Sequence, residues 1–343
     1  MLKKAGALSM SDGSVLAIGG SIDEAYTPNK LPEVWDWPNQ SGWRALSNAV
    51  LEVPMYIRMH LAPDGRAFVT APSYITRFLD TTGTGAWQDT GLRRKQDDQD
   101  YGCSVMYEPG KILVVGGGDP PRTLAETIDL NVASPAWAET VGMKYARRQH
   151  NATLLADGAV LVTGGTSSPG FNDATKAVLP AELWNPATRL WTELAAMKVA
   201  RCYHSTALLL PDGRVLSAGG GKPPATGATD NWNAEIFSPP YLSQGNRPRI
   251  GSVSPLNVAY SGSFSVATVD AAAIAKVTLV RLSSVSHGDN MNQRFAQLTW
   301  SAVSGGLTVN APTNRNLAPP GHYMMFFIGT NGVPSYATTV RIG

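Results

Sequence analysis

Cysteine is scarce in this sequence: Cys103 and Cys202 are the only two in 343 residues. Neither belongs to a Cys-x-x-Cys pair, so neither a zinc site nor a disulfide framework follows. Charge is also scarce, at 16% of residues with a formal net charge of +2. No basic stripe stands out, which argues against nucleic acid as a partner. No window holds 18 consecutive apolar residues, so no membrane-spanning helix is expected. The opening stretch, MLKKAGALSMSDGSVLAIGG, carries two lysines. Gly6, Ser9, Ser11 and Asp12 then break it before an apolar run builds up, so it does not read as a signal peptide.

What the sequence does have is turn residues. It holds 34 glycines and 24 prolines, spread at short intervals. That texture belongs to an all-β protein rather than to packed helices.

One phrase recurs. SMSDGSVLAIGG (9–20), LAPDGRAFVTAP (61–72), MYEPGKILVVGG (106–117), LLADGAVLVTGG (154–165) and LLPDGRVLSAGG (209–220) share a plan. Each is a strand, an Asp-Gly or Pro-Gly turn and a second strand, ending in most cases on a glycine pair. Asp-Gly between apolar runs is a strong hairpin signal, because the turn needs positive φ. Between the phrases lies a second unit, seen in AELWNPATRLWTEL (181–194) and PEVWDWPNQSGWRAL (32–46). It reads as a strand, a turn and a tryptophan opening the next strand. A period of about 50 residues with four short strands predicts a kelch-type β-propeller over 1–245. The period stops after Tyr241. SQGNRPRI (243–250) reads as a linker, and residues 249–343 as an immunoglobulin-like β-sandwich.

In a propeller the innermost strands line a central channel, so equivalent offsets should place equivalent side chains there. Nine residues ahead of each turn glycine stand Lys4, Tyr56, Tyr101 and Gln149. Tyr203 stands ten ahead of Gly213, a difference that a bulge absorbs. His60, His150 and His204 fall on or near the same strands. A lone histidine of this kind is more often a hydrogen-bonded core residue than a metal ligand. A channel tyrosine is more often a packed ring with its hydroxyl satisfied. His322, in GHYMMFF, reads as structural.

With Tyr203-His204 at the head of an inner strand, the chain resembles the galactose oxidase and glyoxal oxidase family of mononuclear copper radical oxidases. RCYHSTALLLPDGRVLSAGGG (201–221) looks like the family's axial tyrosine and first histidine ligand. NAEIFSPPYL (233–242) looks like its last propeller strand. RLSSVSHGDNMNQRF (281–295) looks like the loop that brings a second histidine from the C-terminal domain. PPGHYMMFFIGTNGVPSYATTVRI (319–342) matches its final hairpin, and YIRMHLAPDGRAF (56–68) leans towards the glyoxal-oxidase-like branch. The resemblance implies one copper ion held by Tyr203, His204 and His287, with Tyr203 catalytic as well. Two imidazoles and a phenolate suit Cu(II) by ligand type. Tyr56, Arg58 and His60 are further candidates for the substrate-binding channel mouth, and Gln149, His150 and Tyr101 for the surroundings of the metal. The implied partners are O2 and a small aldehyde, alcohol or carbohydrate, with H2O2 as product. The implied location is extracellular or cell-surface.

The resemblance also breaks. The family makes its radical on a second tyrosine joined to a cysteine through a thioether. Residue for residue, that tyrosine position falls on Lys4, and the cysteine would lie before Met1. Cys103 and Cys202 match neither position. Family propellers have seven blades, and five phrases are counted here. The expectation is therefore an N-terminally truncated chain, impaired in two-electron oxidation because the Tyr-Cys cross-link is missing. Ile22 follows the first glycine pair where a stacking aromatic is usual, which argues against a galactose-type pocket. The reading from another class is a non-catalytic kelch propeller that binds carbohydrate or a protein partner.

Overall fold

Each Asp-Gly or Pro-Gly phrase closes a hairpin. The computed structural model describes residues 5–36, 42–95, 99–221 and 230–343. Gly6–Ser9 pairs with Val15–Ile18, and Arg58–Leu61 with Ala67–Ala71. Cys103–Glu108 pairs with Lys111–Val115, Arg148–Leu154 with Val160–Thr166, and Ser205–Leu209 with Val215–Gly219. The glycine alone carries positive φ in these turns, as at Gly158 (93°), and the aspartate before it does not. Gly158 N–H donates to the Leu155 carbonyl at 3.1 Å and Leu155 N–H to the Ala159 carbonyl at 2.9 Å. This is a type I turn followed by a left-handed glycine. The aspartate steadies the turn through its side chain. Asp157 Oδ1 accepts the Ala159 N–H at 3.1 Å, and Asp212 Oδ1 accepts the Arg214 N–H at 3.0 Å.

Each hairpin continues into a meander. The first four sheets have four antiparallel strands each in chain order, and the fifth has three among the described residues. The third strands of the last three of these sheets carry the same pair at or one residue after their start, Ala125-Glu126, Ala181-Glu182 and Ala234-Glu235. Each glutamate reaches the segment that enters its own sheet. Glu126 accepts the Lys95 N–H, Glu182 the Lys144 N–H and Glu235 the Lys198 N–H, at 2.5, 2.6 and 2.7 Å. Their second oxygens face Arg94, Arg147 and Arg201 at 3.7, 2.5 and 3.5 Å.

After Ser252 come two facing sheets. One has four strands in the order Ser252–Ser254, Ser263–Ala267, Gly306–Asn310, Trp300–Val303. The other has five, in the order Asn257–Val258, Thr338–Ile342, Gly321–Gly329, Ile274–Arg281, Phe295–Leu298. Phe264, Val266, Leu279, Val309 and Phe327 form their shared core. The outer face of the five-stranded sheet packs Met324, Phe326 and Ile328 against Leu154, Val160 and Tyr241 of the meanders. That packing fixes the position of the loop described below.

The all-β class holds, but the kelch-type propeller, five blades of an expected seven, does not. Among the described residues the strands form separate open sheets, and no sheet closes into a barrel or propeller. The physical reason lies in range. Turn chemistry and alternation specify pairing within about 50 residues, and nothing in a local repeat encodes closure of the last unit on the first. Among the described residues no helix is long and apolar enough to cross a membrane.

Candidate functional site

Four residues share one offset and one backbone state. Tyr56, Tyr101, Gln149 and His204 each stand nine residues ahead of a turn glycine. Their φ angles are 56°, 56°, 59° and 65°. Positive φ is uncommon outside glycine, so its recurrence here marks a shared entry geometry. The residue equivalent to Tyr56 is therefore His204, and Tyr203 precedes it without a bulge. Lys4, at the same offset in the first unit, lies outside the described residues.

Tyr203 and His204 lie before the strand, which begins at Ser205. Freed from the pleat, the two neighbours turn to one side, and their rings stack with centroids 4.0 Å apart at 24°. Adjacent residues on a regular strand would face opposite ways.

His287 arrives from the C-terminal sheets. Val285–Ser286 pairs with Asp289–Asn290, and His287-Gly288 forms the two-residue turn between them. Both have positive φ, 57° and 76°, as a type I′ hairpin requires. Gly288 is needed twice over, because a Cβ there would sit 2.7 Å from the His150 carbonyl oxygen. The His287 ring centroid lies 4.5 Å from His204, 5.1 Å from Tyr56 and 5.8 Å from Tyr203. Ser286 Oγ contacts His287 Nδ1 at 2.7 Å.

Tyrosines complete the cluster. The Tyr56 and Tyr203 hydroxyls are 2.7 Å apart. Tyr101 packs 5.2 Å from Tyr56 and 5.8 Å from Tyr203, centroid to centroid. Phe171, 59% exposed, lies against Tyr203 at 4.9 Å and forms the outer wall.

Residues 247–342 match the galactose oxidase-like, early set domain profile, and residues 122–241 match the glyoxal oxidase N-terminus profile. A galactose oxidase of Gibberella zeae is 31% identical over 97% of this chain. The chain belongs to the galactose oxidase and glyoxal oxidase family. It is also 29% identical to the aldehyde oxidase GLOX of Vitis pseudoreticulata, over 97% of its own length and 70% of that protein. A solved fungal alcohol oxidase in complex with copper superposes with a TM-score of 0.88, at 28% identity. That alignment covers 99% of this chain and 76% of the other. The chain spans about half of the Gibberella zeae galactose oxidase, 53% of its length.

In this family member, burial dominates the electrostatics. It pushes the Tyr101 hydroxyl up to about 12, with Asp100 adding to the effect. Burial also raises Tyr56, helped by the Tyr203 contact, and raises Tyr203, where the same contact works in the opposite direction. Both hydroxyls are thus held in their protonated form, and either can be the donor of the 2.7 Å contact.

The other candidates are placed differently. Arg58, 4% exposed, lies behind the cluster rather than at its mouth. Its Nη1 donates to the Tyr56 carbonyl at 2.5 Å and its Nε to the Gly102 carbonyl at 3.3 Å, and Asp289 lies 3.4 Å from Nη1. His60 faces a different small cavity, with Nε2 2.7 Å from Ser104 Oγ and Arg294 among the lining residues. Cys103 and Cys202 are free and buried, and their thiols donate to the carbonyls of His150 (3.2 Å) and Gly165 (3.6 Å). Among the described residues no group of three His, Cys, Asp or Glu side chains gathers, so a metal here would draw on tyrosine. Phe171 and the Ala-Glu locks are what the sequence reading missed. The first sits on a loop without periodicity, whereas the second left a visible trace, the recurring Ala-Glu.

His150 is 1% exposed, and burial with Arg147 and Arg58 pushes its imidazole down to about 3. A folded value below the unfolded one means that the unfolded chain takes up the proton first. The contribution of neutral His150 is full above about pH 6.5 and is lost as the pH falls towards 3. Denaturant titrations at pH 7 and pH 5 should show the chain weaker at pH 5. In His150→Gln the difference between the two pH values should shrink. An unchanged difference would assign the acid sensitivity elsewhere.

Proposed function

We propose that this chain is a copper-dependent oxidase of small aldehydes, alcohols or carbohydrate that forms H2O2 from O2. Its two-electron step is impaired, because copper supplies one electron and Lys4 stands where the family's second redox group, the cross-linked tyrosine, would be. The observation that carries this reading is the convergence of Tyr203, His204 and His287 from two parts of the chain. Their rings lie within 4.0 to 5.8 Å of one another, centroid to centroid. Two imidazole nitrogens and a phenol oxygen form a donor set of the type that suits Cu(II). The Ser286 contact at His287 Nδ1 is the kind of outer partner that orients a metal-binding imidazole. On this reading Tyr203, His204 and His287 hold the metal, which supplies one-electron redox chemistry and draws substrate oxygen to the site.

The chain's own groups do the rest. Tyr56 donates its hydroxyl proton towards the Tyr203 oxygen, which favours Tyr203 as phenolate. Phe171 shields the outer side of Tyr203 from water. An extracellular location belongs to the same reading, supported by the family resemblance.

A copper titration tests it. Cu(II) bound by the Tyr203 phenolate should give a visible charge-transfer band that is absent in Tyr203→Phe. His204→Ala and His287→Ala should each weaken copper binding at least tenfold. Peroxide release from a panel of small aldehydes and alcohols then reads the activity. Failure to bind copper, or a band that survives in Tyr203→Phe, would overturn the assignment and favour a non-catalytic binding protein.

A further inference from the structure

Gln149 is the odd member of the set of four. It shares with Tyr56, Tyr101 and His204 the nine-residue offset and the left-handed backbone. Those three present their rings to one cluster, linked through 5.2 Å between Tyr56 and Tyr101 and 4.0 Å between His204 and Tyr203. The shared backbone state at the same point of the same unit is the ground on which we place the Gln149 side chain on that side as well. Its N–H donates to the Tyr101 carbonyl at 3.0 Å, which ties its backbone to that of a cluster member.

Gln149 is only 3% exposed, yet among the described residues neither Oε1 nor Nε2 meets a hydrogen-bond partner. Buried amides are ordinarily paired, and one left alone is destabilising. Nor does the backbone call for glutamine, because left-handed φ is better served by Asn, Asp or His. Neither hydrogen bonding within the described residues nor local conformation explains this residue.

We propose that Gln149 is a specificity-determining residue whose amide hydrogen-bonds a neutral hydroxyl on the carbon next to the one that is oxidised. This rests on the oxidase reading for the identity of the reacting carbon. A hydroxyl is the complement of an amide, because it accepts from Nε2–H and donates to Oε1 at once. An apolar substituent would leave the amide buried and unpaired. Sites built to bond a hydroxyl reject analogues that lack it for that reason.

The test uses two small carboxylates of nearly equal shape as product-like probes, glycolate and propionate. They differ by a hydroxyl in place of a methyl on the adjacent carbon. Binding is measured by calorimetry on the chain with and without copper. The parent should prefer glycolate at least tenfold. Gln149→Leu should remove the preference and melt no lower than the parent, since it deletes an unpaired amide. Gln149→Asn suits the left-handed backbone and should fold at least as well, yet lose the preference because its amide is withdrawn by one carbon. No preference in the parent, or a preference kept in both variants, would overturn the proposal. Because the copper-free chain is also measured, the two readings fail separately. A preference that tracks Gln149 without copper binding sinks only the oxidase reading, and a copper band without the preference sinks only this one.

Discussion

Glu182→Ala is expected to destabilise the protein by about 3–5 kcal/mol, the usual effect of breaking a buried ion pair by removing one partner. The Arg147 and Glu182 side chains are 0% and 1% exposed and meet at 2.5 Å. Removing the carboxylate leaves Arg147 with only the carbonyls of Gly164 (3.0 Å) and Pro180 (3.2 Å). It also orphans the Lys144 N–H that Glu182 accepts at 2.6 Å. Glu182→Gln keeps an acceptor for that N–H and should lose less. Replacing the whole pair, Arg147→Met with Glu182→Leu, should recover most of the loss, because it buries no unpaired charge. Guanidinium denaturation of the four proteins measures this. A double variant as weak as Glu182→Ala would show that packing rather than charge holds the joint.

Arg58→Met should produce a second large loss, on the order of 3 kcal/mol, for a related reason. The side chains of Arg58 and Asp289 are 5% and 11% exposed, and the guanidinium also holds two carbonyls. One of these belongs to Tyr56, and Asp289 closes the hairpin that presents His287. The substitution therefore loosens two members of the aromatic cluster at once. Adding Asp289→Asn removes the unpaired carboxylate and should restore part of the stability. Denaturant midpoints and copper affinity, measured together, separate the two effects. A variant with parental stability would show that Asp289 finds another partner.

How much was legible in the sequence follows from range. The Asp-Gly or Pro-Gly phrase foretold five hairpins, because a type I turn with a left-handed glycine is settled within five residues. The offset to the turn glycine found Tyr56, Tyr101 and Gln149 for the same reason. It misassigned the fifth unit by one residue, since nothing local distinguished Tyr203 from His204. The backbone state, φ 65° at His204, did. His287 carries no local signal and was reached only through resemblance, because its place depends on how the C-terminal sheets dock. The expected kelch-type propeller was an extrapolation from local repeats to the way whole units assemble, which no local phrase encodes. The Arg-Glu locks span 35 and 34 residues at Arg147 and Arg201, and only the repetition of Ala-Glu hints at them.

The His287 hairpin has a thermodynamic consequence. His204 and His287 belong to bodies joined by side-chain caps, such as Gln293, which accepts the Leu154 N–H and donates to the Ala152 carbonyl, both at 2.9 Å. A ligand gripped by both histidines binds only while the bodies are docked, so occupancy and docking become one linked equilibrium. At a hundredfold excess over its dissociation constant, such a ligand adds about 2.7 kcal/mol to undocking. The slowing of amide exchange at Leu154 would then report ligand affinity from a residue that never touches the ligand.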